Sequence, residues 1–329
     1  MWLSGWQYRK KITIQGSSGA GINYQVFLKV GESSGSTGAN FHLEGHSANF
    51  PSGKNQSGDI RFTASDGVTL LSFWVENVVG TAPNRVAYIW VKVADNLDTS
   101  KDVYIYYGNP NSTNASNGDN TFLFFDDFPG TTIDTTKWNI VYSEGWSVSG
   151  SDLIGTSSSG RITTNSTFSG TVAVETKTYC AYLNQNGYHI LGFYINSSSC
   201  FGFLHHLENN RDYYINNGSW TSFGSTSPTN TNLLTKIIVK DNNLVDLMVL
   251  NYDNLSVIKS QSNISHTLGS KPISLGRRYD EAFLGQTYNN HWDWIIVRKY
   301  ISPEPSFYSS GAEEVSINTA VIRRRLLIR

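Results

Sequence analysis

Apolar residues recur along this chain in short alternating runs, each closed by a turn signal. Tyr8–Ile14, Tyr24–Val30, Asp59–Thr63, Leu70–Val75, Arg85–Val93 and Val103–Tyr107 read as strands in the first third. Alternation of period two puts every second side chain on one face of a sheet. Ser65-Asp66-Gly67 is a hairpin signal between two of these runs. No segment keeps a 3.6-residue apolar spacing over about 11 residues, so no amphipathic helix is predicted. Further strands are predicted at 121–128, 171–183, 188–196, 200–207, 233–240, 244–250, 255–260, 272–276 and 292–300. Prolines lack an N–H, so Ser302-Pro303-Glu304-Pro305 should end this second set.

The seam between the two sets lies in Val103 to Phe128. Pro110 stops the aromatic run Val103–Tyr107, and it holds Asn109 in extended or turn geometry. Residues 111–120 are almost all Asn, Ser, Thr, Gly and Asp, which favour turns. The pattern predicts an all-β chain of two β-sandwich domains in tandem, at 1–118 and 119–305. Residues 306–329 read as a C-terminal tail. Val315 to Ile322 has β character, and Arg323, Arg324, Arg325 and Arg329 make the end basic. The tail reads either as a frayed end or as an arm that docks on another copy, or on a virion or surface-layer protein.

Composition narrows the setting. Of 329 residues only 16% are charged, below the ~25% of typical soluble domains, and Gly, Ser, Thr and Asn fill the gap. The formal net charge of −1 gives no general attraction to nucleic acid. No run of about 18 apolar residues is present, so no membrane span is expected. Met1–Lys11 lacks an apolar core and does not read as a secretory signal. An external protein would then reach the surface with its signal removed, or by assembly into a virus particle. Eight Asn-x-Ser/Thr sequons, at Asn55, Asn111, Asn114, Asn165, Asn196, Asn217, Asn254 and Asn263, are candidate glycosylation sites. Cys180 and Cys200 are expected as buried free thiols rather than a bridge. In a simple meander their strands would lie about 9–10 Å apart, and a bridge needs Cα atoms within about 7 Å.

Two resemblances sharpen this. Trp6-x-Tyr8-Arg9-Lys10-Lys11-Ile12-x-Ile14, Tyr24-Gln25-Val26, Asp59–Thr63, Ala87–Val93 and Tyr106-Tyr107-Gly108-Asn109-Pro110 resemble the domain of unknown function 2341 family. That resemblance covers about 1–118. It implies a β-sandwich of archaeal and bacterial surface proteins and of some archaeal viruses. Phe125-Asp126-Asp127-Phe128, Asp134-x-x-Lys137-Trp138 and Trp292–Arg298 are similar to concanavalin A-like, laminin-G-like jelly rolls, over roughly 119–305. Together the resemblances imply that the two sandwiches are jelly-roll-like, and the second implies carbohydrate binding or adhesion. It also implies a candidate structural Ca²⁺ at Asp126, Asp127 and Asp293, since carboxylates and carbonyls are what Ca²⁺ takes. No other cofactor is expected.

Jelly rolls of this kind also carry retaining glycosidases, which need two carboxyls about 5–5.5 Å apart. A single strand offers such a pair at i and i+2, and no two acidic residues here have that spacing. Catalysis is therefore not expected. Aromatic faces with polar forks recognise sugars, and two segments expected as loops are rich in both. They supply the candidate ligand-binding residues Arg211, Tyr213, Trp220, Arg277 and Tyr279. The resulting expectation is a lectin-like attachment protein on a cell or virion surface, with glycans or a host-surface glycoprotein as partner. A structural capsid, sheath or surface-layer subunit is the alternative, and an endo-glycosidase stands third.

Overall fold

The computed structural model describes residues 1–157, 160–181, 188–196, 198–206, 211–225, 227–240, 243–266, 269–276 and 287–316. The architecture is all-β, with a single short helix among the described residues. The chain divides into two compact units, Met1–Phe122 with Ile301–Arg329, and Leu123–Tyr300.

The first unit holds β1 (Tyr8–Gln15), β2 (Tyr24–Gly31), β3 (Phe41–His42), β4 (Arg61–Thr63), β5 (Leu70–Leu71), β6 (Phe73–Val79), β7 (Val86–Val93), β8 (Lys101–Tyr107) and α1 (Gly118–Thr121). After the second unit the chain returns as β24 (Ser306–Val315), numbered in chain order. One sheet has the order β24-β1-β8-β4-β5 and the other β3-β2-β7-β6. The predicted alternation is realised: Ile12 and Ile14 of β1 and Tyr24, Val26, Leu28 and Val30 of β2 are buried in one shared core.

The polar segment after Pro110 is bonded to the first unit. Ser57 N–H donates to Asn114 Oδ1 (2.9 Å), Val75 N–H to Ser116 Oγ (2.9 Å), and Asn117 caps α1. These side chains, chosen by turn chemistry, bond the first unit's backbone along its edge. One expectation is corrected here: residues 306–315 are not a tail. β24 pairs antiparallel with β1, from Tyr8↔Val315 to Gln15↔Ser306. Phe307 stacks on Phe41, the Tyr107 hydroxyl donates to Glu313 (2.7 Å), and Arg9 pairs with Glu314 (2.7 Å). The proline pair ends one set of strands, but the chain then completes the other. The basic end at 317–329, with its four arginines, lies outside the described residues.

The second unit contains β9 (Phe124–Asp126), β10 (Trp138–Tyr142), β11 (Trp146–Ser149), β12 (Asp152–Ser157), β13 (Arg161–Phe168), β14 (Val172–Ala181), β15 (Tyr188–Asn196) and β16 (Ser199–His206). It continues with β17 (Arg211–Asn216), β18 (Ser219–Ser225), β19 (Asn232–Lys240), β20 (Leu244–Asn251), β21 (Val257–Ser265), β22 (Lys271–Gly276) and β23 (Thr287–Lys299). A seven-stranded sheet has the order β10-β13-β22-β15-β16-β17-β18. The second sheet has the order β11-β12-β23-β14-β19-β20-β21, with β9 also paired to β23. Their facing side chains, including Leu191, Phe193, Phe201, Phe203, Ile237, Leu247, Trp292 and Ile295, form one core.

Cys180 and Cys200 are both buried and free. The simple meander invoked for them is not the reason: β14 and β16 belong to different sheets. Burial pushes the Cys180 thiol up to about 12, so it is not a ready nucleophile.

Two expected outcomes follow. Deleting 306–329 strips β1 of a partner strand and uncovers Phe41, so thermal denaturation of the full chain should show the first unit losing stability, not merely a trimmed end. Burial also pushes His266 down from 6.5 to about 4, with Lys271 adding to the effect, while His266 Nδ1 lies 2.6 Å from Asn216 Oδ1. A depressed histidine costs stability as pH falls, because the unfolded chain protonates first. Urea denaturation should therefore show a loss of up to about 3 kcal/mol between pH 6.5 and pH 4, absent in His266→Gln.

Candidate functional site

The closing strand β23 carries the decisive irregularity. It pairs with β14 at Thr178↔Trp292 and then Lys177↔Trp294, so Asp293 has no opposite residue. This is a β-bulge, which re-aims the side chains around it. Trp292 points into the core beside Leu153 and Ile295. Asp293 and Trp294 then both turn to the other face, where Trp294 meets Tyr252 edge-on. Trp292 and Trp294 are fully buried on opposite sides of the sheet, although plain alternation would place them on one.

The bulge opens a polar cleft of about 150 Å³ lined by Asp152, Lys177, Thr178, Tyr179, Asn232, His291 and Asp293. Four neighbouring strands, β12, β23, β14 and β19, contribute these residues. Lys177 Nζ donates to Asp293 Oδ2 (2.6 Å) and sits 4.6 Å from the Tyr252 ring centre. His291 Nδ1 lies 3.0 Å from Asp152 Oδ2, and its Nε2 lies 3.1 Å from Asn289 Oδ1. Tyr179 meets the His291 ring edge-on and its hydroxyl donates to Asn230 (3.2 Å). Leu153 pairs with Trp292, so Asp152 and Asp293 flank the same rung from neighbouring strands. Each carboxylate therefore has a cationic or ionisable partner that fixes its orientation.

The expected metal triad is not brought together. Asp126 opposes the core residue Ile295, and it accepts from Trp138 Nε1 (2.6 Å) and Phe128 N–H (2.8 Å). Burial raises its pKa despite those bonds. Asp293 faces the other side of the sheet, held by Lys177. Asp126 and Asp293 thus cannot share one cation, and no cluster of three metal-binding side chains occurs among the described residues. Asp127 is buried close by, at the end of β9.

The expected binding loop 209–220 is largely the hairpin β17–β18, at the edge of the seven-stranded sheet. It does bring Tyr213 and Trp220 together, edge-on at 5.4 Å. Both rings are half-buried against Tyr194, Cys200, Leu204 and Ile215, so they serve packing. Arg211 is exposed at the start of β17. Arg277 and Tyr279 lie outside the described residues. Of the sequons, Asn55 is half-buried and its Oδ1 accepts from Trp74 (2.5 Å), and the amides of Asn114 and Asn165 donate to backbone carbonyls. Asn114 and Asn165 are exposed all the same, as are Asn111, Asn196, Asn217, Asn254 and Asn263.

The model described as "Domain of unknown function (DUF2341)" matches residues 56–141. That bears out the resemblance over this stretch. No curated protein matches the sequence. Among solved structures, the chain is similar to an uncharacterized protein from Mycobacterium paratuberculosis, at 12% identity and TM-score 0.42, over 54% of this chain and all of that one. It is similar to the GH43 BlXynB protein from Bacillus licheniformis, at 12% identity and TM-score 0.45, over 70% of this chain and 47% of that one. It is also similar to a beta-1,3-glucanase from Mycobacterium marinum, at 11% identity and TM-score 0.41, over 54% and 98%. At these values the likeness carries no argument about this chain's own activity.

The expectation of a non-catalytic protein nevertheless does not stand. The similar structures include proteins named as a beta-1,3-glucanase and as a glycosyl hydrolase family protein. The expectation itself rested on acidic pairs within one strand, whereas Asp152 and Asp293 line one cleft from two strands, 141 positions apart in the chain.

Lys177 carries a direct test of the cleft's electrostatics. Lys177→Met leaves the partly buried Asp293 without its cation and should cost about 1–3 kcal/mol in denaturant unfolding. Adding Asp293→Asn should recover most of that loss.

Proposed function

We propose that the second unit binds carbohydrate in the cleft of Asp152, Lys177, Tyr179, Asn232, His291 and Asp293, and that the protein serves attachment through it. The observation that carries the reading is the convergence of two carboxylates, an amide, an ammonium and a tyrosine ring from four adjacent strands. Carboxylates accept from sugar hydroxyls, the amide and ammonium donate to them, and the ring offers a face to the pyranose C–H groups. The cleft is smaller than the ~300–1,000 Å³ pockets that enclose drug-sized ligands. It therefore suits one sugar unit, with the rest of a glycan outside. The seven exposed sequons and the weakly charged composition fit an extracellular setting. No described helix is long and apolar enough to cross a membrane.

A glycan array tests this. Binding of defined glycans should fall at least tenfold in Asp152→Asn and in Asn232→Ala, with folding unchanged. An array on which no glycan binds, or binding untouched by both changes, would count against the cleft. A second reading, hydrolysis, is favoured specifically by the two carboxylates flanking one rung. Reducing-sugar release from a bound glycan, lost in both Asp152→Asn and Asp293→Asn, would assign it.

A further inference from the structure

The seven-stranded sheet buries a second cation that the cleft does not use. Arg161 is the first residue of β13, and alternation turns it away from the core into which Ile162 points. It is 6% exposed. Its Nε and Nη1 are buried without a hydrogen-bond partner. No carboxylate pairs with it among the described residues. Instead its guanidinium lies 4.3 Å from the ring centre of Tyr194 and 5.1 Å from that of Tyr142. Tyr142 is its direct partner on the neighbouring strand β10. On the other side it opposes Gly276 of β22, where the Gly160 carbonyl and the Trp146 ring occupy the space a side chain would take.

A buried cation with unmet donors is costly unless an anion completes it. Cation–π contacts compensate in part, since a ring face attracts the charge but accepts no N–H. What the arrangement lacks is a compact oxygen acceptor. A planar carboxylate matches a guanidinium's donors better than a neutral hydroxyl does.

We propose that Arg161, framed by Tyr142 and Tyr194, is a binding site for the carboxylate of an acidic sugar. The sugar class rests on the carbohydrate reading of this unit, but the carboxylate rests on Arg161 alone. Arg161 would bind the anion, and the tyrosine rings would hold the guanidinium in place and flank the sugar. The glycan reaching this site would then carry a uronic acid.

The test is titration of the full chain with D-glucuronate and D-glucose, followed by calorimetry and by thermal shift. Glucuronate should bind and raise the melting temperature, and glucose should do neither at the same concentration. Arg161→Gln should abolish the glucuronate response. Arg161→Lys, which keeps the charge but loses the planar donors, should weaken it at least tenfold. If Arg161→Gln does not fold, Tyr142→Leu on β10 removes one flanking ring and should weaken binding several-fold. Equal responses to glucuronate and glucose, no response to glucuronate, or full glucuronate binding by Arg161→Gln would overturn the proposal. The two readings fail separately: neutral glycans bound through the cleft with no glucuronate response would overturn this site alone, and a glucuronate response dependent on Arg161 stands even if no array glycan depends on Asp152.

Discussion

The bulge at Asp293 is the constraint on which the second unit's chemistry depends. β23 is thirteen residues long and is bordered by β14 on one side, and by β12 and then β9 on the other. Without the extra residue, Trp292 and Trp294 would compete for one face. With it, Trp292 completes the core against Trp146, and Asp293 is delivered to Lys177 on the opposite face. Core packing thus positions the polar cleft, and the two cannot be altered independently.

The two polar centres of this unit contrast in how charge is satisfied. In the cleft, each charge has a partner, so the donors and acceptors are oriented before any ligand arrives. At Arg161 the neighbours are aromatic rings, and the missing oxygen acceptor is what a ligand would add. Elsewhere in the unit described buried charges are paired: Arg298 donates to Glu175 (2.7 Å), and Lys259 donates to the wholly buried Asp212 (2.6 Å). Against those pairs Arg161 stands out, with no carboxylate partner among the described residues.

Much of the fold was legible because its strands alternate cleanly. Val172–Ala181, Asn232–Lys240 and Leu244–Asn251 are rich in Val, Ile and Leu and appear close to where the pattern predicts. Strands built from Ser, Thr, Asn and Gly were not legible. Ser219–Ser225 carries few apolar residues because its outer face meets water, so turn-like composition hides it. β24 was hidden for a different reason: Ser306–Val315 is mostly exposed, and its place is fixed by hydrogen bonds to β1, some 300 residues earlier. The site was the least legible part. Asp152 and His291 are 3.0 Å apart across 139 positions, and only the strand order brings them together. One clue was present in Trp292-Asp293-Trp294-Ile295-Ile296-Val297, where apolar residues fill both faces and alternation breaks at Asp293.

The account's central claim is that a sugar sits in the cleft beside the bulge. Amide chemical-shift mapping of the second unit within the full chain, titrated with a glycan selected on an array, tests it most directly. The account predicts shifts concentrated at Asp152, Lys177, Tyr179, Asn232, His291 and Asp293. Shifts confined to the β17–β18 hairpin, with those six amides unmoved, would contradict it.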